Sequence, residues 1–397
     1  MSTAVESRLP GAVAAVHDEA IDTRRRLHRE PELSYQEHRT AALIAKRCQE
    51  LGYTVREGIG GTGVIADLDS GRPGAAVMVR ADIDALPIQE RGEGRVARSQ
   101  HDGVMHACGH DGHVAIALGV AGVLATVREQ WRGRVRLCFQ PAEEVAGGAL
   151  PMIEAGALEG VDRVLGLHLW APLPVGRVGV RPGVIFSSAD RFALVIRGRG
   201  GHGGMPHTSI DPIAAAAQVI SALQTIVSRE TSPFAPGVVT IGRVDGGSTY
   251  NVIAEEVRLD GTARAMVQAE RERILRRIEE IAAGVTVAMR CESRFERGNG
   301  CPPVGSDAVM AELVRAAAVA AVGEENVDTP EPVTVGDDVA YFLERVPGCY
   351  FLVGAGDPRK QRVAPHHHPE FDIDERCLDI GIATLARATL AALELPA

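Results

Sequence analysis

The sequence predicts an α/β protein. A larger, discontinuous domain carries a mixed, largely parallel sheet flanked by helices, and a small α+β module of βαββαβ, ferredoxin-like order is inserted into it. Three observations predict this. In the first third, short runs rich in Val, Leu and Ile alternate with longer stretches of helical spacing, the pattern of a buried sheet with crossover helices. Around "RPGVIFSSADR" the alternation changes to strand, helix, strand, strand, helix, strand, a compact α+β unit. After the Gly/Pro-rich return "RGNGCPPVGS" (297–306) the first pattern resumes. Domains are therefore expected at 1–186, 187–299 and 300–397, the first and last forming one body, with hinges near 183–189 and 298–305.

The elements follow in order. "AVAAVHDEAIDTRRRLH" (12–28) has helical spacing. "SYQEHRTAALIAKRCQELG" (34–52) opens on Ser34 with Glu37 three residues later, a capping-box pattern, and closes on Gly52, which suits a helix end. "TGVIADL", "AAVMVRAD", "RVRLCFQ" and "RVLGLHLW" are apolar runs of strand length. Between the second and third, "HVAIALGVAGVLATVREQW" is long enough for a buried helix. In the insert, strands are expected at 190–199, 237–246, 256–266 and 285–296, with helices at 211–230 and 268–285. A helix at 307–322, the strand "CYFLVGAG" and a last helix near 374–394 complete the chain.

Bulk properties exclude several classes. The 397 residues are 45% hydrophobic, enough for a sizeable core. A net charge of −10 without a long basic run argues against nucleic acid or an anionic membrane as partner. "MSTAVESRLPGAVAAVHDEA" lacks the basic start and apolar core of a signal peptide, and no apolar stretch reaches the length of a membrane span. Seven scattered cysteines do not suggest a disulfide framework, so the cytoplasm is the expected compartment.

Chemistry concentrates in "MHACGHDGH" (105–113). Cys108 lies two residues from both His106 and His110, which is not one helical face, and Gly109 frees the backbone to turn. A loop aiming Cys108 and His110 at one point, ahead of a helix starting near Asp111, offers a thiolate and an imidazole to a borderline-soft divalent ion. Four further segments supply ligand-type residues: Asp82 and Asp84 in "RADIDALP", Glu143 and Glu144 in "FQPAEE", His168 in "GLHLW", and His366, His367 and His368 in "PHHHPEFD". Each also has a plainer reading. The glutamates could be solvated, His168 a satisfied core histidine, the triple His a surface patch, the aspartates helix caps and Cys108 an inert thiol. Most of these segments follow apolar strands, and ligand sites in open α/β sheets form beyond the carboxyl ends of strands.

The ordered set "HREPELSYQE", "RADIDALP", "MHACGHDGH", "FQPAEE", "GLHLW", "GRGGHGGMPH", "DGGSTYNVI" and "HHHPEFDIDE" resembles the M20 metallopeptidase family. More narrowly it is similar to the amidohydrolase branch, which includes hippurate hydrolases, N-acyl-amino-acid amidohydrolases and plant hydrolases of auxin conjugates. The match runs from near residue 20 to near 380. The resemblance implies two divalent ions per subunit, with Cys108, His110, Glu144, His168 and His367 as ligands, Cys108 bridging, and Glu143 as general base. His367 is chosen over its neighbours because the family's ligand precedes a residue-Pro pair. Asp84 matches the acid that orients a ligand. Asp82 stands where other branches have a ligand His, and His110 is the natural substitute. In the insert, the resemblance makes His202 a donor to the developing oxyanion and sets Asn251 near the substrate carboxylate; Arg264 is a candidate carboxylate clamp. It also implies a homodimer through the inserted domain, with His202 serving the partner's site.

The expected reaction is hydrolysis of the amide bond of a small N-acyl (acetyl, benzoyl or similar) amino acid by metal-activated water. A dipeptidase or aminopeptidase of the same fold is the rival, and a non-catalytic metal-binding protein a more distant one. Thiolate and imidazole donors favour zinc, with manganese, cobalt or nickel as alternatives.

Overall fold

The structure, a computed structural model, describes residues 3–359 and 363–396. Among them the chain divides into two compact units. The larger comprises 1–185, 304–331 and 338–397, and the smaller 186–303 and 332–337.

The larger unit is built on helices α1 (Thr3–Arg29), α2 (His38–Glu50) and α3 (His110–Thr126) and strands β1 (Thr54–Ile59), β2 (Gly63–Asp69), β3 (Ala76–Asp82), β4 (Arg134–Gln140) and β5 (Arg163–Pro174). β4, β3, β5 and the late strand Gly348–Gly356 are neighbours in that order, each pair parallel. β2 and β1 extend the sheet antiparallel on one side, and Val178–Gly179 joins antiparallel on the other. The sheet is thus mixed, with a parallel centre. Every residue of β3 and of Gly348–Gly356 is buried, which explains why these strands read as continuous apolar runs rather than as alternation. α3 is apolar all round, with His110 through Leu124 buried, as suits a helix enclosed by α1, the sheet and the C-terminal helix Cys377–Glu394. No helix among the described residues is long and apolar enough to cross a membrane.

Two expectations are corrected here. The capping box does not form: α2 starts at His38, Glu37 makes no side-chain cap, and Ser34 and Glu37 bond to distant partners. In the smaller unit, Val285–Ala288 belong to the helix Gln268–Ala288 rather than to a strand. Ile274, Ile278, Ala282 and Thr286 recur every fourth residue on its buried face, a helical period that outweighs the β-branched Val285–Thr286–Val287 run. Arg290, at φ 62°, lies just beyond the helix, and the strand Glu292–Cys301 then runs through the segment expected as an open return.

That strand forms one edge of a four-stranded sheet whose order is Gly237–Gly246, Glu256–Ala265, Ala189–Arg197, Glu292–Cys301, antiparallel at each pairing. Helices Pro212–Thr225 and Gln268–Ala288 pack on it, and Asp211 caps the first through the amides of Ile213 and Ala214.

Candidate metal centre

Three parallel strands bring the larger unit's polar residues to one level. Asp82 pairs with Gln140 across β3 and β4, and Arg80 pairs with Gly166 across β3 and β5, so His168 lies level with Asp82. Beyond β4, Pro141 leads to Ala142 at φ 52°, a single 3-10 turn Glu143–Val145, and Ala146 at φ 49°. Gly109, at φ 99°, turns the chain into α3, whose first residue is His110. A side chain there would be strained by the left-handed backbone.

The ligand-type atoms of Cys108, His110 and His168 lie within 4.8 Å of one another, and so do those of Cys108, Glu144 and His367. Cys108 is common to both groups. Its Sγ is 3.5 Å from His168 Nε2, and His367 Nε2 is 3.3 Å from Glu144 Oε2. His366 lies against the His168 ring but is engaged elsewhere: its Nε2 donates to the Leu169 carbonyl at 2.9 Å and its ring stacks on Trp170. His368 Nδ1 accepts from the Glu370 amide.

The donor set suits a cation. His110 Nδ1 donates to the Asp84 carbonyl at 2.9 Å, and His168 Nδ1 to the Leu169 carbonyl at 2.8 Å. A carbonyl can only accept, so each Nε2 is left with its lone pair toward the cluster, the arrangement of metal-binding imidazoles. His110 Nε2 is buried without a hydrogen-bond partner; its neighbours are acceptors, Asp82 at 3.8 Å and Glu143 and Glu144 at 3.9 Å. Burial pushes the Cys108 thiol well up and Glu144 up to about 8, and neighbouring carboxylates add to the rise, against which the charge of His110 only partly acts.

Around these groups is a shell that sequence reasoning missed. Asp82 accepts from Arg80 at 2.7 Å and from His113 Nδ1 at 2.5 Å, and His113 Nε2 accepts the Leu169 amide. Burial opposes its charge, but His110, His113 and Arg80 hold its carboxyl well below the usual range. The Asp-for-His replacement is the only sequence signal, and it does not reveal His113 as the partner. Asp84 Oδ2 accepts from Ser34 Oγ at 2.7 Å and from the Glu144 amide at 3.1 Å. Behind α3, Arg24 is 1% exposed and bonds Asp111 at 2.9 Å, Asp372 at 3.0 Å and Glu375 at 3.3 Å. Arg24→Met should destabilise the fold by about 3–5 kcal/mol, because it leaves the buried Asp111 with His28 alone and strips Asp372 of its guanidinium. Denaturant unfolding measures this, and an unchanged midpoint would mean that the network contributes nothing.

The remaining candidates lie in the smaller unit. His202 is exposed on the short strand Gly201–His202, pairs with Val252, and accepts the Gly204 amide on Nδ1 at 3.0 Å. Asn251 is exposed beside that pairing, and its carbonyl accepts the Gly203 amide. Arg264 is not grouped with them: it stands on a strand of the other sheet, half-buried, donating to the Ala263 carbonyl.

The model of peptidase family M20/M25/M40 matches residues 78–391, a span containing both ligand-type groups together with His202, Asn251 and Arg264. The chain belongs to that family. Membership in M20 makes it a hydrolase of amide bonds. It is 40% identical over 376 residues to an N-acetyl-L-cysteine deacetylase of Bacillus subtilis, covering 95% of this chain and 88% of that one. It is 43% identical over 293 residues to an N-acyl-L-amino acid amidohydrolase of Geobacillus stearothermophilus, covering 74% and 79%. Among solved structures it resembles the M20 protein YXEP of Bacillus subtilis, described as a dinuclear metal-binding peptidase. The TM-score is 0.81 at 35% identity, over 96% of this chain and 99% of the other.

Proposed function

We propose that this M20 hydrolase is an N-acyl-amino-acid amidohydrolase that uses two divalent ions and Glu143 as general base. One observation carries the reading: of the five three-residue groups of ligand-type atoms among the described residues, two meet only at Cys108 Sγ, so one thiolate can serve two ions. Cys108, His110 and His168 would hold the first ion, and Cys108, Glu144 and His367 the second. Sulfur and imidazole donors favour zinc over manganese, cobalt or nickel. Ions held there supply a Lewis acid and lower the pKa of water.

The chain's own residues do the rest. Glu143, partly exposed beside the cluster, takes a proton from the water that attacks the amide carbon and delivers it to the leaving nitrogen. Asp84 orients both groups of donors, accepting the Glu144 amide on its side chain and His110 on its carbonyl. His202 Nδ1 accepts a backbone amide, so its proton sits on Nε2, ready to donate to the oxyanion. Asn251 and Arg264 would contact the substrate carboxylate. All seven cysteines are free, which supports a reducing compartment such as the cytoplasm. The names of the deacetylase and amidohydrolase relatives support N-acyl amino acids as substrates.

The test is a panel of N-acetyl, N-benzoyl and indole-acetyl amino acids set against free dipeptides, with zinc, manganese, cobalt and nickel each added back. Turnover of the acylated compounds supports the reading, and turnover of free dipeptides alone replaces it with a dipeptidase. We further propose a homodimer in which the smaller unit, acting as lid, delivers His202 to its partner's site. His202→Ala should cost about 3 kcal/mol in transition-state stabilisation with metal content unchanged. Mixing it with Glu143→Gln should restore activity once subunit exchange is shown by co-purification of tagged chains. Confirmed exchange without recovered activity would put His202 in its own subunit's site or out of the reaction.

A further inference from the structure

The turn that carries Glu143 and Glu144 is held by carboxylates from three separate segments. Glu37 Oε1 accepts the Ala142 amide at 2.9 Å, Asp84 Oδ2 accepts the Glu144 amide at 3.1 Å, and Asp338 Oδ2 accepts the Gly148 and Ala149 amides at 3.2 and 3.0 Å. Such fixing matters because Ala142 and Ala146, on either side of the glutamates, are both in the left-handed region. Non-glycine residues stay there only when their surroundings enforce it.

The segment Ser34–Glu37 grips this turn at several points. Ser34 Oγ donates to Asp84, Tyr35 Oη donates to the Gly147 carbonyl at 2.7 Å, and Glu37 reaches Ala142, the residue before Glu143. Glu37 is fully buried, and its other oxygen is taken by the hydroxyl of Thr62. Both of its oxygens are therefore committed, one of them to the hinge of the catalytic turn. The hydrogen bonds of the carboxylate go to Ala142 and Thr62 and not to the donor cluster, so its hold on the turn is through backbone.

We infer that Glu37 is a positioning residue for amide hydrolysis: by accepting the Ala142 amide it fixes the left-handed turn from which Glu143 projects. The inference rests on Glu143 being the general base. Displacing a reacting group by about 1 Å can cost 10²-fold, and removing an orienting partner typically costs about 10–100-fold. Glu37→Asp keeps the charge but withdraws the oxygen by one carbon, whereas Glu37→Gln keeps an acceptor at the same reach.

The experiment measures kcat and KM on N-acetyl-L-methionine, bound metal by elemental analysis, and amide hydrogen exchange of the 141–148 segment. Glu37→Asp should lower kcat about 10–100-fold with KM and metal content held, and should speed exchange in that segment alone. Glu37→Gln should stay within a few-fold of the wild type. In a Glu143→Gln background, adding Glu37→Asp should leave the residual rate unchanged, since the base it positions is gone. Wild-type kcat and exchange in Glu37→Asp would overturn the inference. So would a Glu37→Gln as slow as Glu37→Asp, a rate loss that tracks metal loss, or a full further loss in the Glu143→Gln background. Full turnover by Glu143→Gln alone would instead sink the general-base assignment, and the exchange measurement would still report on the hold Glu37 has over the turn.

Discussion

Glu143→Gln is expected to lower turnover by about 10²–10⁴-fold while the bound metal stays at the wild-type level. The amide is nearly isosteric with the carboxylate, so the turn from Ala142 to Ala146 has no reason to move. What is lost is the ability to take the proton from water and return it to the leaving nitrogen. Glu144→Gln differs in kind, because Glu144 Oε2 lies 3.3 Å from His367 Nε2 in the second donor group. That variant should lose metal as well as rate. Elemental analysis beside steady-state kinetics separates the two, and the opposite pattern would exchange their roles.

Cys108→Ala should have a larger effect on metal. Losing an outer partner of a ligand already costs about 10–100-fold in affinity, and on the proposed reading Cys108 would be a direct donor common to both groups. Metal content should fall sharply and amide hydrolysis should disappear. The fold should survive, because Cys108 itself belongs to neither apolar cluster and six other buried thiols are untouched. Circular dichroism and elemental analysis of the same preparation decide the matter. Full occupancy with normal turnover would return Cys108 to the status of a small core residue.

Much of this was legible because the central strands are enclosed on both faces. Arg134–Gln140, buried along nearly all of its length, starts and ends where its composition says it should; so does Gly237–Gly246, although it is a largely exposed edge strand. The candidate donors were legible for a related reason: Glu144 follows β4 and His168 lies within β5, and a resemblance in ordered motifs told His367 from His366. What stayed hidden depends on contacts between distant segments. Ser34 and Glu37 have the spacing of a cap, but Asp84, Ala142 and Thr62 compete for the same side chains and win. Asp82 gives no sign of its bonds to Arg80 and His113, since two of the three residues are far apart in the chain. The Val285–Thr286–Val287 run suggests a strand until the every-fourth-residue contact stripe is seen from the sheet it packs against.

The order of the chain also has a consequence for synthesis. The strand Gly348–Gly356 pairs with β5 along most of its length, yet it leaves the ribosome roughly 180 residues later. The four long strands and both helices of the smaller unit, spanning 189–301, are all translated in that interval. At about 5–20 residues per second, the nascent larger unit waits roughly ten to forty seconds with one side of β5 uncovered. His367, the last of the proposed donors, arrives later still. Until then the polypeptide holds a cysteine and several imidazoles without a finished cavity, so on the proposed ligand set loading with metal would belong to the end of synthesis or after release.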